Sequence, residues 1–116
     1  MSDANSEIVD VMMCKHIDLL CKCPALYLGE PSITRLKAYT LGYLSALEDA
    51  GFGYSKENII TRYSNWLRNT HMFSEGFSFE RILLTLCGDD ELKSLDMFCS
   101  QWNLFLEESR ISASPL

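Results

Sequence analysis

Between Leu92 and Leu106 the residues Leu92, Leu95, Cys99, Trp102 and Leu106 recur at steps of three, four, three and four, with Phe98 and Phe105 beside them. A strand turns its side chains over every second residue, so this spacing belongs to one face of a helix. A seam that broad and that aromatic has to be buried against other helices. The segment therefore predicts a helix over 90–109, capped by Asp89, and commits the chain to a helical core.

The rest of the sequence repeats the same period. Val9, Met13, Ile17, Leu20 and Cys21 mark a first helix over 6–22, with Ser6 as its N-cap. Cys23 to Pro31 holds two prolines and a glycine and reads as a connection whose Leu26, Tyr27 and Leu28 tuck into the core. Ser32 caps the next helix, where Leu36, Tyr39, Tyr43, Ala46 and Ala50 repeat until Gly51, with Ile33, Leu44 and Leu47 widening the stripe. That breadth makes it the most buried helix, with Gly42 admitting a neighbour's backbone. Ser55 caps a helix with Ile59, Ile60, Tyr63, Trp66 and Leu67 inward. Thr70 to Phe77 is a loop, and Ser78 begins a short helix with Phe79, Ile82, Leu83 and Leu86 inside, closed by Gly88. About five helices fit 116 residues, and no strand alternation or internal repeat competes. The expected fold is all-α, a single compact bundle over 1–116 with 1–5 and 111–116 frayed.

Catalytic and cofactor signatures are missing. The six glycines form no phosphate-binding loop, and His16 and His71 have no neighbour that marks a nucleophile–base pair, so a non-enzyme without cofactor is expected. Cys14, His16, Cys21 and Cys23 carry zinc-ligand chemistry, but they fall within ten residues of a helical pattern rather than on two separate turns. They read as core residues, and no metal is expected. Five cysteines behind an N-terminus with no signal-peptide pattern suggest free thiols in the cytoplasm.

Charge is the informative property. The net −6 divides unevenly: seven acids and four bases over 1–50, one acid and three bases over 51–74, eight acids and three bases over 75–116. Glu75, Asp89, Asp90 and Glu91 form one acidic group, and Glu30, Glu48 and Asp49 a second. Such groups either keep a surface solvated or form a docking face for a basic partner, where complementary charge speeds encounter. Met97 and Leu104, seven apart and off the main seam, are either an interface anchor or ordinary scattered surface apolar residues. Arg62 and Arg68 leave a small basic patch, too little for a nucleic-acid surface.

One string of residues has a family likeness. Pro24-Ala25-Leu26-Tyr27-Leu28-Gly29, followed by Ser32, Leu36, Tyr39, Gly42 and Tyr43, resembles the P-x-M-Y-L-G segment and the S-x-x-x-L-x-x-(aromatic)-x-x-G-Y helix of small helical bacterial immunity proteins encoded beside contact-dependent growth inhibition or polymorphic toxins. Leu26 stands where that pattern has Met. The resemblance implies an all-α cytoplasmic protein, monomeric by expectation, that binds and neutralises a basic toxin domain, often a nuclease such as a ribonuclease. It carries over no binding residue. A helical adaptor or regulatory module without a toxin partner is the alternative.

Overall fold

The computed structural model describes residues 3–52 and 57–109. They form an all-α fold of six helices: α1 (Asp3–Lys22), α2 (Pro24–Leu28), α3 (Ile33–Leu47), α4 (Ile59–His71), α5 (Phe79–Leu86) and α6 (Glu91–Ser109). The helix over the first segment already runs at Asp3, so Ser6 lies within α1 and not at its cap.

The expected connection after Cys23 is itself a helix, which raises the count from five to six. Pro24 opens α2 where its missing N–H costs nothing, and Gly29 closes it at φ 80°. A Cβ on Gly29 would lie 3.2 Å from Arg35 Nη1, the guanidinium nitrogen that donates to the Leu28 carbonyl at 2.9 Å. Glycine thus satisfies both the backbone and the space at this corner. Of the three residues expected in the core, Leu28 is buried and Tyr27 half-buried, but Leu26 is 74% exposed. Five residues make little more than one turn of helix, and one turn cannot bury every side.

The Ser32 cap is present, its Oγ accepting the Arg35 N–H at 3.1 Å. The burial expected of α3 is not. Ile33, Leu36 and Thr40 are buried, whereas Tyr39, Ala46 and Ala50 are exposed. Gly42 faces open space, with nothing within 4 Å of a Cβ built on it. Helix α3 is a surface helix with a narrow inner edge, along which it meets α1, α2, α5 and α6 while the rest of its wide apolar stripe is half-buried or exposed. It runs into a wide turn, Glu48–Phe52, where Gly51 takes φ 96°.

Ser55, expected to cap the next helix, lies outside the described residues. Asn58 caps α4, its Oδ1 accepting the Thr61 N–H at 3.0 Å. The core is completed by α4, α5 and α6, centred on Tyr63. This ring meets Trp102 at 5.0 Å, Phe98 at 5.1 Å and Phe105 at 5.4 Å, and its hydroxyl donates to the Phe98 carbonyl at 3.2 Å. Aromatic edges and faces at such distances add to plain area burial.

The seam of α6 is rotated from the expected one. Leu95, Phe98, Trp102 and Phe105 are buried, Cys99 and Leu106 half-buried, and Leu92 is 52% exposed. Leu86 on α5 is likewise 43% exposed, its expected place taken by Leu84. The cysteines depart further. Cys21 at the end of α1 and Cys99 in the middle of α6 are disulfide-bonded across 78 residues, with Cα atoms 5.8 Å apart. That spacing is within the range a disulfide spans. Cys14, Cys23 and Cys87 are free thiols.

Polar contacts tie the N-terminal helices to the rest. Asp10 accepts the Ile59 N–H at 3.2 Å and pairs with the Arg62 guanidinium, while Lys37 meets Glu80 at 3.0 Å. Arg62 is thereby neutralised, and Arg68 donates to the Phe77 carbonyl at 2.6 Å, so the basic patch expected from these two residues is not assembled.

Candidate functional site

The acidic residues around the α5–α6 turn do three different jobs. At the end of α5 the Asp89 N–H reaches back to the Leu84 carbonyl at 2.7 Å, and the chain reverses through Gly88 at φ 63° and Asp89 at φ 64°. Two consecutive left-handed residues are tolerable because one has no Cβ and the other has a short polar side chain. Asp89 therefore does not cap the last helix. Asp90 does, its Oδ1 accepting the Lys93 N–H at 2.9 Å.

Glu91 reaches across to α3. Its Oε1 accepts from Ser32 Oγ at 2.8 Å and from the Thr34 N–H at 3.0 Å, and its Oε2 from Thr34 Oγ1 at 2.8 Å. It caps a second helix from outside. Burial alone would raise its pKa, but the donors of Thr34 and Ser32 outweigh that and hold the carboxyl below the usual carboxylate range. Glu91 is a structural brace between α6 and the start of α3.

That brace regroups the remaining candidates. It seats the Asp89–Asp90 turn beside the start of α3, two residues from Glu30, which pairs with Arg35 at 3.6 Å. Glu48 and Asp49, expected to act with Glu30, follow the far end of α3, about 22 Å away along a helix of 15 residues. Both are exposed there. Glu75 is exposed on the α4–α5 loop. Leu104 is 45% exposed, whereas Met97 is half-buried, packs against the core and takes a contact from the Cys87 thiol at 3.7 Å.

The sequence reading missed Leu86 and Leu92. Both fit a buried stripe by spacing, yet they stand exposed on either side of the Asp89–Asp90 turn. The arrangement is two apolar side chains flanking two carboxylates that have no ion pair among the described residues. It can contact apolar and cationic groups together.

His16 was also underestimated. It is buried between α1 and α3, stacked on Tyr43 at 4.2 Å and Tyr39 at 5.2 Å, and burial pulls its pKa down to about 4. Glu80 keeps one carboxylate oxygen, Oε1, buried without a hydrogen-bond partner among the described residues. Burial would raise its pKa too, but the Ser78 hydroxyl and Lys37 bring it below the ordinary value. Among the described residues no group of three or more His, Cys, Asp or Glu side chains is placed to hold a metal ion. None of their helices is long and apolar enough to cross a membrane.

Neither the known family models, nor the curated proteins, nor the solved structures contain a match to this chain.

Proposed function

We propose that this chain acts by binding a protein with a basic surface, and that it is an immunity protein which neutralises a cognate toxin domain, such as a ribonuclease. The observation that carries the binding reading is the α5–α6 turn, where Leu86 and Leu92 flank Asp89 and Asp90. Central apolar anchors beside charges that complement the partner are what a protein interface needs. A nuclease cleft has to attract phosphate, so its basic residues suit these carboxylates. The toxin assignment adds the resemblance, whose residues here build the α2–α3 corner: Gly29 at its bend, Ser32 at the cap, and Tyr39 and Tyr43 on His16.

The test uses substitutions that keep the backbone roles. Asparagine tolerates the left-handed conformation of residue 89 and caps a helix as well as aspartate does. Asp89→Asn with Asp90→Asn should slow association with the toxin domain encoded by the adjacent gene about tenfold and flatten its salt dependence. Leu86→Ser with Leu92→Ser should speed dissociation. Unchanged kinetics in both variants would remove this face from the site. Binding without protection of cells that express the toxin domain would favour the helical adaptor over the immunity protein.

A further inference from the structure

Of the three free thiols only Cys23 is exposed, and it lies two residues from one end of the disulfide. Cys14 is half-buried, and burial, with the Asp10 carboxylate next, pushes its thiol up and away from the reactive thiolate form. Cys87 is half-buried against Met97. Cys23 forms the one-residue joint between α1 and α2, where φ −136° and ψ 62° break the helical path. Side chains two apart on a continuous helix do not face each other, but α1 ends at Lys22 and Cys23 leaves helical φ and ψ, and Cα atoms two residues apart there are about 5.4 Å from one another, within the span of a disulfide.

Cys21 and Cys99 pack against the edge of the core and are both only partly buried. Their bond also joins two helices whose main common neighbour is α3. Helix α1 packs on α2, α3 and the Glu48–Phe52 turn, whereas α6 packs on α3, α4 and α5.

We infer that Cys21, Cys23 and Cys99 form an internal thiol–disulfide switch in which Cys23 opens the clamp between α1 and α6. Cys23 gives its proton to solvent, and its thiolate attacks Sγ of Cys21. The Cys21–Cys99 bond breaks, its electron pair leaves on Cys99, and that thiolate takes up a proton. One thiol and one disulfide enter, and one thiol and one disulfide emerge, so no oxidant or reductant is consumed. The clamped form pins α1 to α6, and the open form leaves the same oxidation level but confines the bond to the α1–α2 joint. The switch does not depend on what the α5–α6 turn binds.

The test is a time course on the oxidised full-length protein at pH 8 without added thiol, quenched in acid, alkylated and mapped by mass spectrometry. In the wild type a Cys21–Cys23 disulfide should accumulate as Cys99 becomes open to alkylation. In Cys23→Ser, Cys99 should stay protected, at least tenfold longer, while Cys14→Ser and Cys87→Ser behave as wild type. Alkylating the exposed Cys23 of the wild type beforehand should reproduce the Cys23→Ser result without any substitution. Equal exposure of Cys99 with and without the Cys23 thiol would overturn the switch, as would failure of the oxidised protein to contain the Cys21–Cys99 bond.

Discussion

The α4–α6 half and the α1–α3 half are built on different terms. Around Tyr63 the contacts are aromatic, close and sealed: Phe79, Phe98, Trp102 and Phe105 all meet this ring and are all buried. The α1–α3 half has its own buried side chains, Met13, Ile17, Leu20, Ile33 and Leu36, but α3 leaves most of its surface in solvent. Its attachment relies on single polar or covalent ties: Asp10 to Arg62, Lys37 to Glu80, Glu91 to Ser32 and Thr34, Cys21 to Cys99. One half is held by area and the other, in part, by pins. Area is lost gradually over many contacts, whereas a pin fails with a single substitution.

Truncating the aromatic half should cost most. Phe98→Ala should lower stability by about 3–5 kcal/mol in urea unfolding, because it removes a fully buried ring and leaves a cavity. A loss near 1 kcal/mol would mean that the aromatic cluster is not the main store of stability. Removing the covalent pin comes next. Cys99→Ser should cost about 2–4 kcal/mol under oxidising conditions and nothing further under reducing ones, by the usual effect of a long closed loop. Asp10→Ala should cost about 1–3 kcal/mol, since it leaves the Ile59 N–H without its acceptor and takes the paired carboxylate from Arg62, whose Nε keeps the Glu57 carbonyl.

Acid should act on the α1–α3 half first. The unfolded chain protonates His16 near pH 6.5, while the fold keeps it neutral down to about pH 4. The unfolded state therefore binds more protons across that window, and stability falls as pH drops through it. Glu80 and Glu91, both held below their ordinary 4.5, add their losses only under more acidic conditions. His16→Phe should flatten the curve between pH 6.5 and 4 and leave the more acidic limb in place. The smallest effect expected is a gain. Gly42→Ala should stabilise by about 0.5–1 kcal/mol, because the helix favours alanine and no neighbour occupies the space. A loss there would restore the close approach that the sequence suggested.

Periodicity was enough for the helical class, for the segments that became α1 and α3–α6, and for Ser32 as a cap, since these depend on residues within one or two turns of each other. It failed where burial depends on how many neighbours are available. Leu86 and Leu92 match the stripes of their helices, but they stand in the last turn of α5 and the first turn of α6, beside the exposed reversal at Gly88 to Asp90, and both are left outside. Tyr39 fits the stripe of α3 equally well, yet it stacks on His16 at the margin. The site was legible as charge and not as geometry. Asp89, Asp90 and Glu91 look interchangeable in the sequence, while their backbone positions assign them to a turn, a cap and a brace. The Cys21–Cys99 pair lay beyond reach, since a separation of 78 residues leaves no local pattern.

The disulfide also decides how the chain would respond to being pulled. Tension applied from the two ends runs along α1 to Cys21, crosses to Cys99 and leaves along α6, bypassing everything between. About 260 Å of extended chain, the contour of the 78 intervening steps, is kept out of the load path until that bond opens. A motor threading the oxidised protein through a narrow pore would have to admit a closed loop, with two strands abreast. With Cys99 released, the same motor would meet a single linear strand.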